Sequence, residues 1–557
     1  MKKAMAMLLC MFLLFGAAGA EQTENASSIL LGNGSYFPLA QPLHLTAWVV
    51  NTVDNISVRN SYVLDWLYEK TNVRLEVTNE FSGTDAKNKL NLSLAMTDKL
   101  PDILLCTRWT KAECALFGMQ GMVLPLDAYL PDCENWNRLT DICGQKHVTD
   151  LTMPDGHIYS FGSVNECFHL THQARMWVYR DWIDQLMDGR LPQTTEEFYT
   201  YLQRVKTMDP NGNGLADEIP LTGQITEGWA NDPFTFLSNS FVHNNTIYGS
   251  TNQTVAAGCY LDHGTVHCNW VEDGYREALR YMSRLYREGL LQSEVYSQNQ
   301  QQMGSRVEAV PNIVGAVACG YLPKVRKTAR DDGSWCDWVC LPPLEGPDGT
   351  RLSYQSDYDY FYNCNGLITR DCSNPEVAVQ LFDILAGSEG NLVQNYGQEG
   401  INWDWCASEH EEGLTGEPAL YKCYWQALWS SSNSAVNWPS DVQISSMFDA
   451  FRRGVQVEAD VYNGEKVLWE CAEAYDPYSP GLDTVYPNIA YTAEQSNELV
   501  RYQASIEQYV RRAMIQFISG SMDLDRDWDA YLTMLDILGQ ESYHHLLQDA
   551  YDAYAKK

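Results

Sequence analysis

The chain has 557 residues, with 38 basic against 72 acidic side chains and a formal net charge of −34. A field of that sign repels phosphate backbones and excludes a nucleic-acid partner. An apolar share of 45% makes the chain globular rather than disordered, and its length exceeds the roughly 250–300 residues that one core fills, so two or more lobes are expected.

Residues 1–20 join Lys2 and Lys3 to an apolar run from Ala4 to Phe15 and then to Ala18, Gly19 and Ala20. This is the composition of a secretory signal, cleaved ahead of Glu21. The run falls short of the roughly 20 apolar residues that a membrane span needs, and no later stretch is long enough. No cysteine closes the signal, and Cys10 follows Leu8 and Leu9 without the small residue of a lipid-anchor signal, so a secreted, cell-surface-associated protein without that anchor is expected. Of the 16 cysteines, Cys10 lies in the signal. The odd remainder leaves at least one cysteine outside any intramolecular pair. There is no Cys-x-x-Cys, and His169 with His172 reads as structural rather than as a zinc site.

Residues 21–41, rich in Ser, Asn and Gly, read as a flexible leader. Leu43 to Val50 is an apolar, β-branched run that suits a buried strand. Tyr62, Val63, Trp66 and Leu67 share a helix face; a strand at Val73 to Val77, a helix around Leu90 to Met96 and a strand at Ile103 to Leu105 follow. This β-α-β-α-β order predicts a parallel sheet with right-handed crossovers. The pattern recurs at Met176 to Tyr179, followed by a helix from Asp181 with Trp182, Ile183 and Leu186. Thr194 and Glu197 form a capping box ahead of a helix burying Phe198, Leu202 and Val205. Tyr275, Leu279, Met282 and Leu285 mark a helix stopped at Gly289. Leu499, Tyr502, Ile506, Tyr509, Ala513 and Phe517 keep helical spacing up to Gly520. Two α/β units followed by helices predict a two-lobed α/β architecture with a ligand crevice between the sheets.

The sharpest local motif runs from Asp209 to Glu218 and sets oxygen ligands at alternate positions around a glycine turn, the front half of an EF-hand-type loop. Asp209, Asn211 and Asn213 would offer side-chain oxygens to Ca²⁺, Leu215 its carbonyl, and Asp217 and Glu218 their carboxylates. Pro220 stands where a complete EF-hand places its twelfth-position Glu, so a helix-loop-helix switch is not expected and the bidentate role falls to Asp217 or Glu218. Carboxylates crowded this closely repel one another, and a divalent ion removes that cost.

Three runs in succession, Met176 to Leu186 (MWVYRDWIDQL), Pro192 to Phe198 (PQTTEEF) and Asp209 to Pro220 (DPNGNGLADEIP), resemble the extracellular solute-binding proteins of family 1 in ABC importers. The likeness is greatest to the long members related to alginate-oligosaccharide-binding proteins. Weaker echoes in the same order include Leu100 to Ile103, Gly121 to Asp127, Pro154 to Tyr159, Asn374 to Glu376 and Tyr396 to Gly400. The resemblance implies a two-lobed periplasmic-binding-protein fold whose chain crosses between lobes near residue 160, near Tyr362 and near residue 430. The first lobe is then expected over 42–160 and 362–429, and the second, with the acid loop and C-terminal helices, over 161–361 and 430–557. It also implies a monomer that captures a solute and delivers it to membrane permease subunits, without chemistry.

A sugar cleft offers aromatic faces with carboxylates and amides between them. Trp109 after the strand Ile103 to Leu105, Trp229 after Gly228, and Trp403 and Trp405 after the Gly397 to Gly400 turn are candidates. So are Asp357, Asp359, Tyr360 and Tyr362 at the second crossing. A secreted glycoside hydrolase or polysaccharide lyase shares the export, acidity and aromatics and stands as the alternative; a hydrolase needs two carboxylates about 5–9.5 Å apart. No nucleophile elbow or zinc-protease motif occurs.

Overall fold

The structure is a computed structural model. It describes residues 30–32, 35–51, 57–83, 85–226, 228–247, 258–326, 333–357, 365–407, 410–424, 438, 442–444, 446–457 and 463–556. The first body begins with β1 (Leu43–Asn51), α1 (Tyr62–Thr71), β2 (Val73–Ser82), α2 (Ala86–Met96), β3 (Ile103–Leu105) and α3 (Lys111–Met119), and reaches β4 (Ser160–Phe161). β1 lies parallel to both β2 and β3, because each return strand follows a helix that carries the chain back over the sheet face. Ser61 caps α1 by accepting from the Val63 amide, and Asn72 closes it in the left-handed conformation, a shape Asn tolerates better than most residues.

The second body is built from β5 (Met176–Tyr179), α4 (Arg180–Met187), α5 (Thr195–Thr207), β6 (Ile219–Thr222), α6 (Asp273–Arg287), β7 (Val314–Ala318) and β8 (Trp338–Leu341). Thr194 caps α5 by accepting from the Glu197 amide. The Glu197 carboxylate accepts from Gln193 at 2.7 Å, one residue before the position a capping box requires. The sheet order is β8-β5-β7-β6, with β7 parallel to β6 and antiparallel to β5. It is therefore mixed rather than all parallel. The chain then returns to the first sheet as β9 (Gly366–Ile368), inserted antiparallel between β3 and β4 to give the order β2-β1-β3-β9-β4.

The C-terminal part adds α7 (Gly464–Tyr475), α8 (Ala493–Tyr502), α9 (Gln508–Ser519) and α10 (Gln540–Tyr554). A π-helical turn over Gln503–Glu507 joins α8 to α9, and Gly520 ends α9 in the left-handed conformation. Two large apolar cores result. One unites β1 to β4 and β9 with Trp438, Val442, Ile444, Met447, Phe448, Phe451 and Val455; the other packs β5 to β8 elements against Tyr475 and the helices to Ala550. The stretch 438–455 thus belongs with the first core, not with the second lobe in which an expected boundary at 430 would place it. Its strand Ser446–Met447 pairs with Val164–Asn165, which holds it beside the first crossing. No described helix is long and apolar enough to cross a membrane.

Candidate functional site

Ligands of α/β sheets collect beyond the carboxyl ends of the strands, and in both bodies the chain there takes up costly backbone shapes. After β3, Cys106 and Arg108 have φ of 50° and 56°; after β6, Ala230 has φ of 50°. Left-handed non-glycine residues cost of order 1–3 kcal/mol and persist where the surroundings dictate them, commonly at ligand sites. In the second body the strained loop presents Trp229. Its backbone oxygen accepts from Gly320 at 2.8 Å, and its ring lies so close to Gly320 that a Cβ there would sit 2.8 Å from it. The indole N–H donates to Gln173 Oε1, and Gln173 Nε2 donates to the Tyr354 hydroxyl at 3.2 Å. Trp229 is half-buried and its tilt is fixed from two sides.

Beside this loop runs the first crossing between the bodies. His169 and Trp229 have ring centroids 6.5 Å apart, and His169 Nε2 lies 3.2 Å from Glu465 Oε2 at the start of α7. Burial opposes charge on His169, but Cys167 and Glu465 outweigh it and lift the imidazole to about 9. These neighbours favour the charged imidazole against the buried carboxylate. Arg175 donates to the carbonyls of His169 and Gly320, joining the crossing to the end of β7. One turn beyond Glu465, Trp469 packs on Phe168 with centroids 4.6 Å apart, and the Arg453 guanidinium lies 5.6 Å over its ring. Trp469 is half-buried and its indole nitrogen has no hydrogen-bond partner. Sequence reasoning passed over Glu465 and Trp469. The available clue was that Trp469 stands off the buried Leu468, Cys471, Ala472 and Tyr475 stripe of its helix.

The structure separates the other candidates. Trp109 is 2% exposed, stacks on Phe117 at 4.1 Å and donates its N–H to Asn91 Oδ1 at 2.8 Å, so it is a core tryptophan without a free face. Trp403 is fully buried and donates to the Gly397 carbonyl at 2.8 Å. Trp405 meets it edge-on at 5.5 Å and is half-buried; both lie in the first body, away from the Trp229 contacts. Asp357 accepts from Lys146 Nζ at 3.0 Å, and the same ammonium reaches Asp150 at 3.1 Å. Tyr554 of α10 donates to Asp150 at 3.2 Å. Despite burial, Asp357 and Asp150 raise the Lys146 pKa. This cluster, with the Lys111 ammonium on the Asn488 carbonyl at 2.7 Å, ties the first body to the C-terminal region. Asp359, Tyr360 and Tyr362 lie outside the described residues.

The acid loop sits at the opposite, amino end of β6. Asp209 accepts from the amides of Asn213 and Gly214 at 3.2 and 2.9 Å, Asn211 from Asn213 at 3.0 Å, and Asn213 from Leu215 at 2.7 Å. Asn211 and Asn213 turn their amide nitrogens onto Asp217 at 3.1–3.3 Å. One carboxylate oxygen of Glu218 is buried with no hydrogen-bond partner. Burial, with Asp209 and Asp217 adding to it, raises the Glu218 pKa. Among the described residues no cluster of three His, Cys, Asp or Glu is arranged as a metal site; the convergence at this loop depends on two asparagines as well as its acids. Three crowded carboxylates, one of them with an orphaned buried oxygen, and two amides fit a hard cation.

No family model matches the chain. It is 24% identical, over an alignment of 579 residues covering 99% of this chain and 98% of the relative, to the fructooligosaccharide ABC transporter substrate-binding protein FusA of Streptococcus pneumoniae. The structure of FusA with kestose matches 92% of this chain and all of that one with a TM-score of 0.72 at 21% identity. An EF-hand mutant of FusA with fructo-nystose gives the same TM-score at 20% identity. An HMO-binding ABC-transporter-associated solute-binding protein from Bifidobacterium longum infantis matches 93% of this chain and all of its own with a TM-score of 0.75 at 21% identity. The alginate-binding protein AlgQ2, solved without calcium ion, matches 93% of this chain and all of its own with a TM-score of 0.61 at 20% identity. From end to end the chain is a homologue of an ABC-transporter substrate-binding protein, and it has the two-lobed α/β fold of that class.

Proposed function

We propose that this protein is the extracellular solute-binding component of an ABC importer, which closes its lobes on an oligosaccharide and hands it unaltered to membrane permease subunits. The observation that carries this reading is the Trp229 platform, clamped by Gly320 and Gln173 on a strained loop at the carboxyl end of β6. A sugar stacks its C–H face on such a ring while amides and carboxylates take its hydroxyls. Gln173, bonded to the Trp229 indole, is proposed to share this subsite with Asn231, with Glu465, which reaches it through His169, and with Trp469 on the neighbouring Phe168; Trp405 is proposed as the first lobe's contribution. Kestose, fructo-nystose, HMO and alginate, the ligands named for the relatives, are of this class.

The relatives are binding proteins rather than enzymes. A hydrolase reading is disfavoured because Glu465, the buried carboxylate of the site, is committed to His169 and is not poised as one of two acids flanking a bond. The acid loop is proposed to hold Ca²⁺ through Asp209, Asn211, Asn213, Leu215, Asp217 and Glu218, as a structural brace at the far end of β6. That relatives were studied as an EF-hand mutant and without calcium supports this assignment. Thermal-shift screening against a glycan panel tests the binding reading, since a ligand at 100 times its Kd stabilises by about 2.7 kcal/mol. Tight stoichiometric binding with the sugar recovered intact is the expected result; catalytic release of shorter sugars would overturn it.

A further inference from the structure

The hairpin Cys259–Asp262 and Thr265–Cys268 places Cys259 directly opposite Cys268. His263 and Gly264, with φ of 48° and 83°, form the two-residue turn, so Asp262 and Thr265 are a hydrogen-bonded pair and alternate pairs outward are not. By this alternation Cys259 and Cys268 are a non-hydrogen-bonded pair. The Asn269 amide donating to the Gly258 carbonyl at 2.9 Å, one step further out, fixes the same phase. Such pairs bring Cα atoms to about 4.5 Å, inside the window a disulfide spans. The sulfurs are 2.9 Å apart, and both residues are buried.

We infer that Cys259 and Cys268 are joined by a cross-strand disulfide in the exported protein. This rests on the proposed export only in that an oxidising compartment is needed; it is independent of the ligand. The Cys259 thiolate attacks a low-molecular-weight disulfide such as glutathione disulfide and displaces one thiol. The Cys268 thiolate then attacks the mixed disulfide and displaces the second. Two protons and two electrons leave the protein, and the glutathione disulfide, as oxidant, is reduced to two thiols. Once the hairpin is buried, burial and the neighbouring sulfur hold the Cys259 pKa well above its ordinary value, so exchange belongs to the open hairpin during folding.

The bond would tie the open end of a hairpin whose other end docks α10. Gln548 bridges the Val266 amide and the Gly264 carbonyl at 2.8 and 3.0 Å, and His544 Nε2 meets the Val266 carbonyl at 2.6 Å. Full-length protein, reduced in denaturant, refolded in a glutathione redox buffer, and then denatured with an alkylating agent, tests this by peptide mapping. The expected peptide holds both Cys259 and Cys268, lacks two hydrogens and carries no alkyl group. Alkylation of both sulfurs, or pairing of either with another cysteine, would overturn the inference. Oxidised protein should also melt several degrees above its reduced form, and the double variant Cys259→Ser and Cys268→Ser should show no such difference; equal melting of oxidised and reduced wild type would contradict the bracing role. If the double variant fails to fold, the wild-type peptide map decides alone.

Discussion

The two ends of one four-residue strand, β6, differ sharply. At its amino end polar side chains crowd an exposed loop, and Asn211 reaches the Asn312 carbonyl before β7 at 3.4 Å. At its carboxyl end a strained loop offers one aromatic face, locked by Gly320 and Gln173. The first end is built to hold charge together and acts on the packing of β6 against β7. The second is built to hold a ring still and, in the proposed function, acts on a guest. The difference teaches that the proposed cation brace and the proposed ligand platform share a strand and yet are separable by measurement, one in stability and the other in affinity.

The largest effect sharpens the contrast between packed and presented tryptophans. Trp403→Ala empties a fully buried site and should cost about 3–5 kcal/mol of stability, read by urea denaturation, with the sugar affinity of the folded fraction nearly unchanged. Next is the acid loop. With Ca²⁺ at 100 times its Kd, wild type should gain about 2.7 kcal/mol over EDTA-treated protein, and Asp209→Ala should abolish that gain in thermal melts while leaving sugar Kd within a factor of a few. Trp229→Ala should do the reverse, weakening sugar binding by about 2 kcal/mol, roughly thirtyfold in Kd, with melting in the absence of sugar little changed. An Asp209→Ala protein that loses sugar binding as completely as Trp229→Ala would break the separation.

The smallest effect concerns the crossing. His169 is lifted from 6.5 to about 9 in the folded protein, so its contribution to stability is complete below about 6.5 and is lost as pH rises through about 9. Glu465→Gln should flatten that part of the stability–pH profile. A slope unchanged by the substitution would place its cause elsewhere.

The parallel part of the first sheet was legible from the residues because β1, α1, β2, α2 and β3 each carry their own pattern and neighbours in sequence pair in space, whereas β4 and the antiparallel β9 were not read. The crowding of the acid loop was legible for the same reason: its polar side chains lie within ten residues of each other. The last crossing was not. Residues 438–455 join the first core through two-residue pairing with Val164–Asn165 and scattered apolar contacts, which leave no periodic trace. Tryptophans mark the same limit. Trp109 turns back onto Phe117 of the next helix and Trp403 onto the Gly397 carbonyl, contacts that position after a strand or turn does not reveal. Trp229 was singled out through Gly228, whereas Trp469 and its neighbour Glu465 come to the first crossing only when α7 meets it, almost 300 residues later in the chain.

Calorimetric titration of wild type and Trp229→Ala with the best-bound glycan of a panel, with the sugar analysed afterwards, tests the importer reading most directly. An oligosaccharide-binding protein predicts one sugar per chain, recovered uncut, and a roughly thirtyfold weaker Kd in the variant. Equal affinity in the two proteins, or a shortened sugar in the cell, would contradict it.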